Sequence, residues 1–333
     1  MSASFAADRY ERMLYRRCGR SGLRLPAISL GAWETLGGYR GEEVARAVLT
    51  RAFDLGITHF DFANNYGRPP GNAERVCGQI IREMPRDELI ISSKAGYPMW
   101  PGPYGDGGSR KYLIASCDQS LHRMGLQYFD IFYSHRPDPE TPIEETLGAL
   151  DQLVRQGKAL YVGLSNYRGA QFAEALRVVE RLGLAPITIH QPRYNLFDRR
   201  IEWDLLPHIE RAETGLIVFS PLAQGLLTDR YLRGGVAVEG RAAFRGPAWL
   251  DEQLTPSRLA TLEALNALAH ERGQTLAQMA LSWALRSPTV TSVLVGASTP
   301  EQLDQNAGAL TNLAFTPEEL ERIDALSPAT PGS

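Results

Sequence analysis

Apolar and polar positions along this chain fall into two alternating textures. Short runs rich in Ile, Val, Phe and Tyr, apolar at nearly every position, are separated by longer segments whose apolar residues recur every three or four positions. The short runs predict strands at 27–30, 59–62, 89–94, 129–134, 159–164, 187–191, 216–220 and 292–295. Strands that are apolar throughout belong in a parallel sheet covered by helices. The periodic segments predict helices over 42–55, 73–82, 110–124, 143–156, 169–182, 205–213, 256–272 with 276–286, and 300–310. Start signals support several of them: Ser109 before the third, Thr141-Pro142 before the fourth, Thr299-Pro300-Glu301 before the last. A further capping box, Thr316-Pro317-Glu318-Glu319, opens a C-terminal helix.

Ahead of this rhythm, residues 13–17 and 23–25 flank Cys18-Gly19-Arg20-Ser21-Gly22 and predict a short hairpin, with residues 1–11 as a flexible leader. Eight strand–helix units in succession predict an α/β fold, a closed (β/α)8 TIM barrel occupying residues 1–333 as one domain. An open doubly wound sheet would ordinarily carry G-x-G-x-x-G after its first strand. Here that place reads Leu30-Gly31-Ala32-Trp33-Glu34-Thr35, and the fingerprint occurs nowhere else.

Composition narrows the chemistry. The 333 residues carry a formal net charge of −3 with pI near 6.1, which leaves no basic footprint for nucleic acid or an anionic membrane. Cys18, Cys77 and Cys117 lie far apart, and with no signal peptide this implies a reduced, cytoplasmic protein. No apolar run is long enough to span a membrane. The six histidines are dispersed, and no metal-ligand spacing is present.

In such a barrel, chemistry sits where strands end. The ends carry Trp33, Asp61 with Tyr66, Lys94, His135, Ser165-Asn166, Gln191, Phe219-Ser220 and Gly296 to Ser298. Four of these make sense together. A tyrosine is a weak acid near neutrality, and a nearby ammonium favours its phenolate. Asp61 would hold Lys94 charged and in place, and His135 would orient a carbonyl. Tyr66 would then give a proton when a carbonyl accepts hydride, and take it in reverse. The hydride must come from elsewhere, and a nicotinamide is the simplest donor. Asn166 and Gln191 suit its carboxamide, Phe219 its ring face, and the loop 220–227 its pyrophosphate. Each residue alone has a plainer reading: a structural ion pair, a packed tyrosine, a satisfied polar histidine, an ordinary long loop. Their joint occurrence at strand ends outweighs those readings.

These residues together resemble the aldo-keto reductases, through G-I-T-H-F-D-F-A-N-N-Y-G (56–67), I-S-S-K-A-G (91–96), D-I-F-Y-S-H (130–135), Y-V-G-L-S-N-Y (161–167), H-Q-P-R-Y-N (190–195), F-S-P-L-A-Q-G-L-L (219–227) and V-G-A-S-T-P-E-Q-L-D-Q-N (295–306). The resemblance covers essentially the whole chain. It implies NADP(H) bound in extended form and the catalytic tetrad Asp61, Tyr66, Lys94 and His135. It also implies cofactor contacts at Trp33, Asp61, Ser165, Asn166, Gln191, Phe219, the loop Ser220, Pro221, Leu222, Ala223 and Gln224, and Gly296. The adenosine and 2′-phosphate end falls on Ser298, Gln302, Gln305 and Asn306, with Arg230 and Arg241 closing over it. Thr299 stands where close relatives carry arginine beside the 2′-phosphate. Within the family, the stretch 97–113 makes the chain look most like the bacterial L-glyceraldehyde 3-phosphate reductases, a branch similar to the β-subunits of voltage-gated potassium channels. That branch implies small aldehydes as substrates, L-glyceraldehyde 3-phosphate and methylglyoxal among them, and a homo-oligomer.

The 97–113 stretch also has a physical reading. Gly107-Gly108-Ser109-Arg110-Lys111 opens a helix whose free amides and cations would suit a phosphorylated aldehyde. The plainer alternative is a solvated helix start. Trp33, Tyr97 and Trp100 are candidates for the pocket wall. Two further readings stay open beside the reductase: an NADP(H)-binding sensor or partner subunit like the channel β-subunits, and a Schiff-base barrel using Lys94. Asp61 holding Lys94 protonated opposes the latter.

Overall fold

The computed structural model describes residues 5–232 and 252–329. Strands β1 (Tyr15–Arg17) and β2 (Arg24–Pro26) form the antiparallel hairpin, with Tyr15 opposite Pro26. Eight parallel strands follow: β3 (Ile28–Gly31), β4 (His59–Asp61), β5 (Ile90–Ala95), β6 (Phe129–Ser134), β7 (Ala159–Ser165), β8 (Ile187–Gln191), β9 (Gly215–Phe219) and β10 (Ser292–Val295). They close in chain order, because β10 pairs with both β9 and β3. The chain is therefore a (β/α)8 barrel with the expected hairpin and C-terminal helix.

Alternation decides which residues face the barrel axis. Phe60, Ile91, Phe132, Val162 and Val218 point outward into the main apolar cluster, which the surrounding helices complete. Inside, Ile131, Tyr133, Ile189 and Ile217 meet Cys18, Leu23 and Leu25 of the hairpin. The hairpin thus closes the end of the barrel where the strands begin. Burying each of its two leucines contributes roughly 1.5–3 kcal/mol. Gly215 opens β9 without a side chain because the Cys18 sulfur occupies that place.

Helices α1 (Glu42–Asp54), α2 (Asn72–Ile81), α3 (Arg110–Met124), α4 (Ile143–Arg155) and α5 (Gly169–Leu182) match the periodic segments within a residue or so. The predicted helix over 205–213 is different. It forms as α6 (Ile201–Asp204) and α7 (Leu206–Ala212), with Pro207 at the start of the second, where a missing N–H costs nothing. The segment over 300–310 ends its α-helix at Ala307 and finishes as a tighter turn, Gly308–Thr311. The C-terminal helix Pro317–Leu326 carries the capping box from Thr316 to Glu319.

The described part of the N-terminal segment, expected as a flexible leader, lies against the barrel. Phe5 packs edge-on against Phe53 with ring centroids 4.7 Å apart, and the Ala6 amide donates to Asp54 at 2.9 Å. Arg9 and Tyr10 both reach the Glu88 carboxylate. An aromatic anchor and a shared carboxylate hold the segment on the barrel wall. Among the described residues, no helix is long and apolar enough to cross a membrane, and no cluster of side chains suits a metal ion.

Candidate active site

Strand register assembles the charged core. Asp61, the last residue of β4, lies opposite Ser92 of β5, so Lys94 stands two residues further on the same inward face. Lys94 Nζ donates to Asp61 Oδ2 at 2.5 Å and to the Phe62 carbonyl at 2.6 Å, and both side chains are fully buried. Burial pulls Lys94 below the ordinary ammonium range, and the Asp61 charge pulls it back. On Asp61 the second oxygen, Oδ1, accepts from Ser92 Oγ at 2.6 Å and from Gln191 Nε2 at 3.2 Å. Both oxygens of this carboxylate accept hydrogen bonds, three in all, as a buried charge requires.

Tyr66 and His135 cover this pair. The loop after β4 turns back at Tyr66, whose carbonyl accepts the amides of Gly71 and Ala73 at 3.1 Å each. Gly67 makes the turn possible at φ 94°, a conformation a side chain would resist. Lys94 Nζ lies 5.1 Å from the Tyr66 ring centroid, and the Tyr66 and His135 rings meet at 5.9 Å. Tyr97 stands edge-on to His135 at 4.7 Å. Burial first, then Lys94 and Arg136, push the His135 pKa well below its ordinary value. His135 is therefore a neutral hydrogen-bonding group near neutrality rather than a reservoir of protons.

These side chains open onto a cavity of about 850 Å³. Trp33, Asp61, Tyr66, Tyr97 and His135 line it, as do Ser165, Asn166, Gln191 and Phe219 from β7 to β9. It continues past Ser220, Pro221, Leu222, Gln224 and Arg230 to Gly296, Ser298, Gln302, Gln305 and Asn306. Ser220, Ala223 and Gln224 hold φ of 53°, 46° and 61°. Three non-glycine residues in the left-handed region cost on the order of 1 kcal/mol or more each, and such strain gathers at sites of function. Gln302 accepts from the Ser298 amide at 2.8 Å, and Thr299 caps the helix behind it.

Some expected site residues lie elsewhere. Lys94 stays behind the cavity wall, and Ala223 turns away from the lining. Trp100 packs on Tyr112 at 5.1 Å rather than walling the pocket. The anion site expected at Ser109 and Arg110 is already filled by the protein's own carboxylates. Asp138 accepts the Gly108 amide at 2.7 Å, Glu145 the Arg110 amide at 2.9 Å, and Ser109 caps its helix. The Arg110 guanidinium runs outward to Gly148 and Gln152. Arg241 lies outside the described residues. Conversely, Thr35, Tyr39, Asn65, Arg193 and Thr275 line the cavity without having been anticipated. Asn65 and Arg193 had a signal, since Asn65 adjoins Tyr66 and Arg193 lies two residues past Gln191. Thr275 had none, because it caps a helix far along the chain.

The cavity fits a dinucleotide. Its volume is in the range of cofactor sites. A Cβ built on Gly296 would meet nothing nearer than the Gly31 carbonyl and Thr35 Oγ1, both at 3.9 Å, at the cavity wall. Buried acceptors at Asn65 Oδ1 and Gln224 Oε1 have no partner among the described residues. Asn166 and Gln191 share the lining with Phe219, their side-chain amides fixed by donation to the His135 carbonyl and to Asp61.

Comparison with known proteins agrees with this geometry. The family model described as "Aldo/keto reductase family" matches residues 27–328. The chain is 54% identical to the L-glyceraldehyde 3-phosphate reductase of Escherichia coli O157:H7 over 324 residues, 95% of this chain and 93% of that protein. It is 53% identical to the protein of the same name from Escherichia coli strain K12, with the same coverage. A probable voltage-gated potassium channel subunit beta of Oryza sativa subsp. japonica is 36% identical over 326 residues, 96% of this chain and 98% of that one. With the closed barrel, the buried Asp–Lys pair under a tyrosine and the dinucleotide-sized cavity in place, the chain belongs to the aldo/keto reductase family and is an NADP(H)-dependent oxidoreductase.

Proposed function

We propose that this protein reduces small aldehydes to alcohols with NADPH, with Tyr66 as the proton donor, and that L-glyceraldehyde 3-phosphate and methylglyoxal are among its substrates. The observation that carries the reading is Lys94 Nζ, fixed by Asp61 at 2.5 Å and standing 5.1 Å from the Tyr66 ring. An ammonium so placed favours phenolate over phenol and so makes Tyr66 a better acid. Neutral His135 is suited to donate one hydrogen bond to the carbonyl oxygen and orient it toward Tyr66. Bound NADPH supplies the hydride. Ser165, Asn166 and Gln191 would hold the carboxamide and Phe219 the ring, while the strained Ser220–Gln224 loop would receive the pyrophosphate. Ser298, Gln302, Gln305 and Asn306 would take the adenosine end with Arg230. L-glyceraldehyde 3-phosphate is the substrate in the names of the similar bacterial reductases, and methylglyoxal follows from the resemblance to that branch as another small aldehyde.

The test follows loss of NADPH absorbance with each aldehyde, wild type beside Tyr66→Phe. Steady turnover by wild type and a loss of about 100-fold or more in the variant are expected, the scale of a missing general acid. If wild type binds NADPH and reduces neither aldehyde, the substrate assignment fails and a cofactor-binding partner subunit becomes the better reading. Absence of NADPH binding would overturn the hydride-transfer reading altogether.

A further inference from the structure

Beneath Asp61 the barrel interior is polar, at a level where branched apolar side chains are usual. Ser29 of β3, His59 of β4, Ser92 of β5 and Ser292 of β10 are all fully buried and face the axis. They touch in sequence. Ser292 Oγ lies 2.7 Å from Ser29 Oγ, Ser29 Oγ 2.9 Å from His59 Nδ1, and His59 Nε2 2.9 Å from Ser92 Oγ. Ser92 Oγ in turn lies 2.6 Å from Asp61 Oδ1.

The end of this chain fixes its direction. Asp61, paired with the Lys94 ammonium, is a carboxylate and can only accept, so Ser92 must donate to it. The Ser92 proton is then spent, and His59 Nε2 must donate into the Ser92 oxygen. Burial holds His59 neutral, its pKa pushed down to about 4, so Nδ1 is left as an acceptor for Ser29. Each hydroxyl and the imidazole thus have one permitted orientation, and every dipole points at Asp61. Aligned hydrogen bonds of this kind polarise one another. The titratable groups around the pair are Tyr66, Tyr133, His135, His59 itself and, behind β5, Glu74.

We propose that His59 is a positioning residue for the reaction: acting through Ser92, it orients the Asp61 carboxylate, and through it the Lys94 ammonium beneath Tyr66. The inference rests on the reductase reading, since the pair it positions is the one assigned there to proton transfer. A histidine that merely filled space would have no preferred tautomer, and its loss would be felt in stability alone.

The experiment has two parts. In protein labelled with 15N-histidine, the His59 ring shifts should report the Nε2–H tautomer at neutral pH. A protonated ring or the Nδ1–H tautomer would overturn the proposal without any assay of turnover. In the NADPH assay, His59→Leu should lower kcat about 10-fold while KM stays within about two-fold, and should move the apparent pKa of kcat upward as Lys94 loses its hold on Tyr66. His59→Gln should recover most of the rate, because its amide nitrogen reaches the Nε2 position. His59→Asn, whose amide lies near Nδ1, should not. In a Ser92→Ala background, His59→Leu should have no further effect on kcat, because the link is already cut. Multiplying losses, or a lower melting temperature with an unmoved pH profile, would reduce His59 to packing. An inactive wild type with the expected tautomer would sink the reductase reading and leave the hydrogen-bond chain standing.

Discussion

Acid should destabilise this protein through histidines that the fold keeps neutral, and His190 offers the cleanest measurement. It faces outward from β8, fully buried and edge-on to Phe172 with ring centroids 5.2 Å apart. Burial pushes its pKa from the ordinary 6.5 down to about 3, with the Tyr167 backbone pulling weakly the other way. Below pH 6.5 the unfolded chain takes up a proton at this residue and the folded chain does not, so stability falls as pH falls, down to the folded value. At pH 5 the difference amounts to about 1.5 units, or roughly 2 kcal/mol. His59, with a folded value of about 4, adds a similar loss over the same range. Two such losses are a large share of a total stability of about 5–15 kcal/mol. Urea unfolding of wild type and His190→Leu, followed from about pH 7.5 to pH 5, measures the effect. The wild type should lose roughly 2 kcal/mol more than the variant across that range, with most of the difference arising below about pH 6.5. Parallel curves for the two proteins would refute the reasoning, because they would mean that His190 titrates alike in both states.

Gly163→Ala should destabilise by about 1–3 kcal/mol, the usual cost of overpacking. Its Cβ would lie 2.5 Å from the Tyr133 ring and 2.8 Å from the Ile189 carbonyl, and chemical unfolding reads the loss directly. Lys94→Met should cost about 3–5 kcal/mol by stranding a buried carboxylate, and should remove aldehyde reduction. Adding Asp61→Asn should restore much of that stability and none of the turnover, a separation that melting curves and the NADPH assay show together.

The barrel was legible because its strands are apolar at most positions and its helices are periodic, which are local properties. The grouping of Asp61, Tyr66, Lys94 and His135 was legible because a charge at a strand end breaks an apolar run, as at Asp61 and Lys94. What escaped was long-range. Nothing near Ser109 announces that Asp138 and Glu145, some thirty residues onward, satisfy the amides at 108 and 110. Nothing in the leader announces that Phe5 finds Phe53. His59 is a different kind of miss, since its signal was present. It stands two residues before Asp61 on one strand, hence on the same inward face, and a second polar residue on that face calls for a partner. Ser92, two before Lys94, gives the same signal on β5.

Stability and chemistry pull apart inside this barrel. Where the strands begin, the interior is filled by Leu23 and Leu25 of the hairpin against Ile131, Ile189 and Ile217, and packing alone accounts for it. On the side built by β10, β3, β4 and β5, and in register with Ile131 and Ile217, it instead holds Ser292, Ser29, His59 and Ser92, with Asp61 and Lys94 above them, all without solvent. A buried ion pair recovers its desolvation cost only with favourable geometry and satisfied lone pairs, and apolar replacements are often as stable. Here the geometry is supplied by neighbours that would be poor choices for packing: Ser92 and Gln191 donate to the carboxylate, and His59 and Ser29 stand in line behind Ser92. The low dielectric that makes the pair expensive also makes the Lys94 charge effective at Tyr66, 5.1 Å away, where water would have screened it. The polar interior is therefore understood as the support that an unscreened ammonium requires, and its residues follow from the chemistry above them rather than from the needs of the barrel.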